Sequence, residues 1–322
     1  MSSRARRASN PRARASGRQS KRWQSRWLAL GAGAVAVLTI GGVLIVWRGN
    51  DAPTPSAPGT GAALSSLNTP DFHSLAISPQ DPSLLLYGHH GGVLRSTDGG
   101  RTWNKTNLTD ETDDAMGMGF SSSDGREMFA AGHDTFFRSG DAGANWEDLR
   151  PDLPGTDIHG MTTAPDRPGR IYAHVVRYGL YRSDDGGERW SKANTTELPG
   201  DVMALSAGPG GRLYAAAPSR GVLRSDDGGT TFRRMGNIGG AVAIAASGSD
   251  PDAVYVGTQS GLFSSTDGGE TWTPRPLPID GGVMVSAVNP TDALDVAVVV
   301  VDDSSTGHVF RSADGGHNWG PR

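Results

Sequence analysis

The sequence of 322 residues predicts an all-β fold, namely a single six-bladed β-propeller of four-stranded antiparallel blades, preceded by one N-terminal transmembrane helix. A turn motif that occurs six times predicts the propeller, and an uncharged stretch near the N-terminus predicts the helix. The aspartates at the fourth position of the motif are 43, 44, 42, 40 and 47 residues apart. One four-stranded propeller blade takes up about 40–45 residues. The copies read RSTDGGRTW from Arg95, RSGDAGANW from Arg138, RSDDGGERW from Arg182, RSDDGGTTF from Arg224, SSTDGGETW from Ser264 and RSADGGHNW from Arg311.

The N-terminal region has the charge pattern of a membrane anchor. Residues 1–26 carry nine basic side chains and no acid, which predicts a basic cytoplasmic tail. Residues 27–47 are uncharged, begin and end with tryptophan, and are long enough for a transmembrane helix. A cleaved signal peptide is the alternative, but the apolar run is long for one and no A-x-A cleavage site follows. We therefore expect an uncleaved signal anchor at the cell membrane, with the propeller extracytoplasmic.

Composition limits what the rest of the chain does. Residues 48–66, rich in proline, glycine and alanine, are predicted to be a linker, and residues 67–322 the propeller. All 34 acidic residues follow residue 47, together with 21 of the 30 basic ones, so this part has a formal charge of −13. That charge argues against nucleic acid as a partner. The chain has no cysteine, which excludes disulfides and thiolate chemistry.

Each repeat reads as four short strands. In the first repeat we predict strands at 72–78, 84–88, 92–96 and 102–108, separated by segments rich in glycine, aspartate and proline. The motif then forms the hairpin between the third and fourth strands. Its serine and aspartate accept hydrogen bonds from backbone N–H groups of the turn, and its glycine permits a positive φ. The aromatic residue that ends the motif is expected to pack into the blade.

The motif resembles the Asp-box, or BNR, repeat of sialidases, xyloglucanases, sortilin-type receptors and a photosystem II assembly factor. The resemblance covers about residues 67–322, and the departures are Phe232 in place of tryptophan and Ala142 in place of glycine. The layout is also similar to exported bacterial proteins that are often labelled glycosyl hydrolases from their repeats. The resemblance implies that the boxes lie at the blade periphery, away from an active site, and that their aspartates are structural.

Candidate ligand residues recur at the start of the first strand and the end of the second, which lie on one face of a propeller. One set comprises aspartates and residues two positions later: Asp71, Asp114, Asp157 and Asp201, then His73, Met116, His159 and Met203. The second set is His89, His90, His133 and His174. Six of the eight histidines therefore belong to one rim, within the first three blades.

Imidazole with thioether suits copper, and imidazole with carboxylate suits zinc, so copper and zinc are the candidate cofactors. The metal candidates are His73, His89, His90, Met116, His133, His159 and His174. The candidates for contacting another ligand are Asp71, Asp114, Asp157, Asp201, Met203 and Arg177. The alternative is that the histidines and methionines end an apolar stripe and that the aspartates bond their own loops.

These features favour a membrane-anchored extracytoplasmic binding module without catalytic activity. Its ligand would be a metal ion, or a glycan or protein of the cell envelope. The alternative is a glycoside hydrolase, sialidase- or xyloglucanase-like, with Asp114 and Asp157 as the catalytic carboxylates. Against it, the F-R-I-P segment and an arginine triad of sialidases are missing, and the chain holds one propeller where xyloglucanases use two. The arginine that recurs before each box serine is expected to be structural.

Closure of the ring needs one further strand. Only three residues follow Trp319, too few for the outer strand of the last blade. We predict that residues 62–68 supply it by pairing near the final blade.

Overall fold

The computed structural model describes residues 35–40, 43–48 and 59–320, with gaps at 111, 124 and 194–197. The chain separates into two compact units, Met1–Arg48 and Gly49–Arg322. The basic tail 1–26 and most of the linker lie outside the described residues, so the predictions for them stay predictions.

The first unit differs from the predicted transmembrane helix 27–47. It contains two antiparallel strands, β1 (Val35–Ile40) and β2 (Val43–Arg48), paired from Val35 opposite Arg48 to Ile40 opposite Val43. Both segments are rich in β-branched residues, which favour extended backbone, and two glycines separate them. In the described part of the chain, no helix is long and apolar enough to cross a membrane.

The second unit consists of six four-stranded antiparallel sheets. Blade I contains β4 (Ser74–Ile77), β5 (Leu85–His89), β6 (Gly92–Ser96) and β7 (Asn104–Lys105). Blade II contains β8 (Gly117–Phe120), β9 (Met128–Gly132), β10 (Thr135–Ser139) and β11 (Glu147–Asp148). Blade III contains β12 (Ile158–Thr163), β13 (Ile171–Val175), β14 (Gly179–Ser183) and β15 (Ser191–Lys192).

The remaining blades follow the same order. Blade IV contains β16 (Ala204–Ala207), β17 (Leu213–Ala217), β18 (Gly221–Ser225) and β19 (Arg233–Met235). Blade V contains β20 (Ala241–Ala246), β21 (Val254–Thr258), β22 (Gly261–Ser265) and β23 (Thr273–Arg275). Blade VI contains β24 (Gly282–Asn289), β25 (Asp292–Val301), β26 (Gly307–Ser312) and β3 (Ser65–Leu67). The predicted all-β six-bladed propeller is thus confirmed.

The first strand of each blade is innermost and contacts the first strands of both neighbouring blades, with β24 next to β4. The second strands of blades I to V are fully buried because both of their faces pack against adjacent blades. The outer strands β7, β11 and β15 are two residues long and exposed. The ring therefore gathers the first-strand starts on one face, called the top face here, and the Asp boxes on the opposite face.

The ring is closed by the N-terminal side of the propeller, as predicted. Strand β3 pairs with β26, with Leu67 opposite Gly307. Ser65 also connects blade VI to blade I, since its hydroxyl donates to the Gly100 carbonyl (2.6 Å) and accepts from Trp103 Nε1 (3.0 Å). Trp319 N in turn donates to the Thr60 carbonyl (3.2 Å), so residues of the predicted linker also contact the last blade.

The Asp boxes have the predicted turn geometry. In the first box, Ser96 Oγ donates to Asp98 Oδ1 (2.8 Å), and the N–H groups of Arg101 and Thr102 donate to the same oxygen (3.0 and 2.9 Å). Gly100 N donates to Ser96 Oγ (2.9 Å). The Thr102 hydroxyl also donates to Asp98 Oδ2 (2.6 Å). This bond above all, together with the others, lowers the pKa of Asp98 to about 2. The box aspartate is therefore an ionised structural acceptor.

Arginines before the box serine connect neighbouring blades on the face that carries the boxes. Arg95 donates to the Ala142 carbonyl (3.1 Å) in the box of blade II. Arg224 donates in the same way to the Gly268 carbonyl (2.8 Å) in the box of blade V. Arg95 and Arg224 therefore have the structural role that was predicted for the recurring arginine.

Candidate functional site

Seven side chains on the top face of blades I to III form a continuous group, which we call the histidine–aspartate row. Two isolated antiparallel bridges, His90 with Asp114 and His133 with Asp157, connect the end of one blade's second strand to the segment before the next blade's first strand. They bring the predicted residues of consecutive blades together. The row consists of Asp71, His73, His90, Asp114, His133, Asp157 and His159.

Four imidazoles follow one another along the row. His73 Nε2 lies 3.1 Å from His90 Nδ1, and His90 Nε2 lies 3.2 Å from His133 Nδ1. His133 Nε2 lies 3.2 Å from His159 Nε2. His90 and His133 keep 38% and 30% of their side-chain surface exposed, so the middle of the row can be reached from solvent.

Two aspartates orient the central imidazoles. Asp71 accepts a hydrogen bond from His90 N (2.8 Å) and another from His90 Nδ1. Asp114 Oδ2 likewise accepts from His133 N (3.0 Å) and from His133 Nδ1 (2.5 Å). With the proton held on Nδ1, the Nε2 atom of each ring carries the lone pair.

The charges of the row follow from these contacts. Burial, the largest influence on the pKa of His90, lowers it, but the hydrogen bond to Asp71 and the charges of Asp114 and Asp71 together raise it. The hydrogen bond to Asp114 raises the pKa of His133. Burial would raise the pKa of Asp114, but the hydrogen bonds and charges of the histidines keep it lowered. Burial lowers the pKa of His159, which favours its neutral, ligand-competent form.

Three ligand-type atoms meet at the blade III end of the row. His133 Nε2 and His159 Nε2 are 3.2 Å apart, and Asp157 Oδ1 lies 3.6 Å from the first and 3.1 Å from the second. The Oδ1 atom of Asp157 is buried and accepts no hydrogen bond, although the side chain as a whole is 48% exposed. Two similar groups lie along the row, one of Asp71, His73 and His90 and one of His90, Asp114 and His133. Imidazole and carboxylate in this proximity suit zinc or divalent copper.

Three predicted metal ligands lie outside the row. His89 is buried, its ring stacks on Tyr87 with centroids 5.7 Å apart, and its Nδ1 contacts the His90 carbonyl (2.8 Å). His174 is 2% exposed, and burial lowers its pKa to about 4. Met116 is buried and lines the central channel together with His73.

The row ends within blade III, where Val176 and Arg177 rather than a histidine follow β13. Blade IV has the recurring aspartate but no histidine facing it. The carboxylate of Asp201 accepts from the N–H (2.8 Å) and the hydroxyl (2.7 Å) of Ser219, which occupies the place of a histidine. Met203 is partly buried, and Arg177 is an exposed residue with a φ of 69° in the turn after β13. These three predicted ligand residues are not brought into the row.

Sequence reasoning missed the pairing of each aspartate with its histidine. Asp71 and His90 are 19 residues apart, and so are Asp114 and His133. This repeated offset was visible in the sequence and would have separated His90 and His133, which face an aspartate, from His89 and His174, which do not.

The comparisons with known proteins agree with the fold. The model of the family described as photosynthesis system II assembly factor YCF48 matches residues 69–236, just over half of the chain, and that of the BNR/Asp-box repeat matches 263–274. No curated protein matches the sequence. A structure of YCF48 bound to D1 peptide is similar at a TM-score of 0.53 and 20% identity, covering 82% of this chain and 87% of that one.

Two glycosidase structures are similar as well. The GH74 xyloglucanase from Xanthomonas campestris has a TM-score of 0.53 and 19% identity over 83% of this chain and 46% of that one. The GH74 enzyme of Niastella koreensis has a TM-score of 0.52 and 18% identity over 75% and 36%. The chain thus spans less than half of either enzyme, and at these identities the likeness shows the fold alone. Because the family model covers more than half of its length, the chain belongs to the family of the photosynthesis system II assembly factor YCF48.

Proposed function

We propose that this protein is a binding module without catalytic activity that holds a transition-metal ion on its histidine–aspartate row. The observation that carries the proposal is the approach of imidazole nitrogens to within 3.1–3.2 Å of one another beside carboxylate oxygens. Two nitrogens bound to one ion at about 2.0–2.1 Å with near-tetrahedral angles lie roughly 3.2–3.4 Å apart. The spacing in the row is therefore close to that of ligands around a common ion.

Core packing alone explains the row less well. His90 and His133 are about one-third exposed, so two adjacent imidazoles of the row can be reached from solvent. The contact between the partly exposed imidazoles of His90 and His133 thus supports a ligand-binding role for the row.

The same geometry argues against glycoside hydrolysis by Asp114 and Asp157. A general acid needs a raised pKa, whereas Asp114 is 3% exposed, bonded to His133 and lowered in pKa. The Asp114 carboxylate is held by its hydrogen bonds to His133 and is not free to donate a proton to a substrate. If Asp114→Asn and wild type both lack activity on chromogenic glycosides, hydrolysis is excluded for those substrates.

A protein partner is the second candidate ligand, and the family favours it. The solved structure of YCF48 bound to D1 peptide shows that a propeller of this type binds a peptide. A cell-envelope protein is therefore the partner that we would test first after the metal, ahead of a glycan. The extracytoplasmic location at the cell membrane stays a prediction from the basic N-terminal tail.

The test is the metal content of the full chain after equilibration with Zn²⁺ or Cu²⁺ and removal of free ion. We expect bound metal in the wild type and its loss in the double variant His90→Ala/His133→Ala, which removes a ligand from all three groups of the row. The matched control is His317→Ala, since His317 is an exposed histidine of an Asp box on the opposite face. A wild type without metal, or a double variant that retains it, contradicts the proposal.

A further inference from the structure

Resting on the proposed metal-binding function, we infer that the ion lies at the blade III end of the row and keeps one coordination position for a ligand from outside the protein. Its three protein ligands are His133 Nε2, His159 Nε2 and Asp157 Oδ1. The ion is a divalent one, zinc or copper, because two imidazoles and a carboxylate suit these ions. The outside ligand is an anionic donor.

In each of the other two groups, one of the ligand nitrogens already donates a hydrogen bond to an aspartate. In the group of Asp71, His73 and His90, the Nδ1 atom of His90 donates to Asp71. In the group of His90, Asp114 and His133, the Nδ1 atom of His133 donates to Asp114 (2.5 Å). A metal ion in either group would have to displace a proton from a charge-assisted hydrogen bond.

At the blade III end, the two ligand nitrogens are not the ones that donate to Asp71 or Asp114. The bond from His133 Nδ1 to Asp114 leaves His133 Nε2 with its lone pair toward His159 and Asp157. Asp157 Oδ1 is buried and accepts no hydrogen bond, which is costly for a carboxylate oxygen unless another ligand satisfies it. This oxygen without a hydrogen-bond donor is an observation independent of the imidazole spacing. Asp114 Oδ1 is also buried without a donor, but the Asp114 carboxylate is already held to His133 through Oδ2, whereas Asp157 Oδ1 lies beside two Nε2 atoms.

Asp114 acts through His133 as a positioning residue. A carboxylate bonded to the second nitrogen of a metal-ligating histidine fixes its tautomer and orientation, and removal of such a partner weakens metal affinity about 10–100-fold. Asp114 is nearly fully buried and is also bonded to His133 N (3.0 Å), so its carboxylate cannot turn toward the ion without breaking two contacts.

The site is built from three side chains within the described part of the chain, and it faces outward. The side chains of Asp157 and His133 are 48% and 30% exposed, and that of His159 is 15% exposed. Zinc sites with three protein ligands keep their fourth position for water or an external ligand. A divalent ion with one carboxylate ligand retains net positive charge, which favours an anionic donor such as the carboxylate of a partner.

The first experiment locates the ion. We expect about one Cu²⁺ per full chain in the wild type, its loss in His159→Ala and in Asp157→Ala, and its retention in His73→Ala at the other end of the row. Thermal melting without metal checks that each variant folds, and His317→Ala is the control. No metal in the wild type defeats both the inference and the proposed function. Metal that is kept in His159→Ala, or lost in His73→Ala, overturns the location alone.

The second experiment addresses the ligand set and the outside position with azide as the probe. In the copper-loaded wild type we expect electron paramagnetic resonance to show coupling to two imidazole nitrogens. Added azide should give a charge-transfer band that saturates at one azide per ion. Asp114→Asn should bind copper about 10–100-fold more weakly with the same two-nitrogen spectrum. Absence of the azide band overturns the outside position, and an unchanged affinity of Asp114→Asn overturns the positioning role.

Discussion

At the scale of single residues, blade IV shows what the recurring top-face aspartate does when no histidine faces it. Asp201 accepts from the backbone and hydroxyl of Ser219 and ties the segment before β16 to the end of β17. Asp71 and Asp114 make the same backbone bond to His90 and His133. The aspartate therefore accepts the same backbone hydrogen bond in all three blades. In blades I and II the facing imidazole also places a nitrogen lone pair on the top face.

Ala142 offers a residue-scale prediction in the second Asp box. It has a φ of 58° where the third box has Gly186 with a φ of 76°, a conformation that costs a residue with Cβ about 1 kcal/mol relative to glycine. We expect Ala142→Gly to raise the free energy of unfolding by about 0.5–1 kcal/mol, measured by urea denaturation. Gly186→Ala is the matched reverse change, because its added Cβ would meet only Phe129 at 3.8 Å. Equal stability of both variants and wild type would contradict this account.

His174 gives a pH prediction. Burial lowers its pKa from 6.5 to about 4, while nearby His159 lowers it and Asp201 raises it by smaller amounts. The unfolded chain therefore binds a proton at higher pH than the folded one. The free energy of unfolding is therefore unaffected by His174 above about pH 6.5. It decreases by about 3 kcal/mol in total as the pH falls toward 4, because the unfolded chain then binds a proton that the folded one does not.

The measurement is the free energy of unfolding between pH 7 and pH 4. We expect His174→Leu to lose less stability over this range than the wild type. His317→Leu, which removes an exposed histidine, should keep the wild-type pH dependence. Parallel curves for wild type and His174→Leu would show that His174 does not carry the effect.

At the scale of elements, hairpins and edges position the site. The Asp boxes fix the third and fourth strands on one face, and this leaves the first-strand starts and second-strand ends to form the other. Strand β3 then supplies the outer strand of blade VI, with Leu67 buried and Ser65 bonded to blade I. An element before the first blade therefore holds the last one.

Removal of residues 49–68 tests this closure. The loss of the β3 pairing and of buried Leu67 should cost several kcal/mol, which corresponds to a melting temperature lower by roughly 10 °C in a domain of this size. Removal of residues 49–57 alone keeps Gly59, Thr60 and β3 and is the control. If the two deletions melt alike, β3 is dispensable.

At the scale of the whole molecule, a buried ion pair lies where the ring closes. Arg311 donates from Nε and Nη2 to the two oxygens of Asp295 (2.7 Å each) and from Nη1 to the Pro82 carbonyl of blade I (2.7 Å). Asp295 is fully buried and also accepts from Asn289 (2.9 Å). At the closing junction this network adds a buried ion pair to the kind of contact that Arg95 and Arg224 make with the next blade.

Arg311→Met should destabilise the propeller by about 3–5 kcal/mol, because it leaves the buried Asp295 carboxylate without its cation. The same change at Arg138, which is 54% exposed and paired with Glu127, should cost less than about 1 kcal/mol. Urea denaturation of both variants measures the difference. A cost at Arg311 no greater than at Arg138 would show that the pair does not support the closure.

The sequence by itself determined the architecture, because each Asp box specifies its own hairpin through contacts within about seven residues, and the six copies set the number of blades. It also predicted which strands come to the top face, and that residues 62–68 close the ring. The predicted helix was wrong for residues 35–40 and 43–48, which form two paired strands. An apolar run suits a helix or a hairpin equally, and the two glycines between the strands favour the hairpin.

The tertiary structure alone decided which histidines meet. His73, His90, His133 and His159 come from strand ends up to 86 residues apart, and their contacts depend on the bridges between blades and on which side of each strand a side chain lies. His89 and His90 are neighbours in sequence, yet one is buried against Tyr87 and the other enters the row. Which histidines enter the row therefore depends on the alternation of side chains along each strand and on the packing of blades that are far apart in sequence.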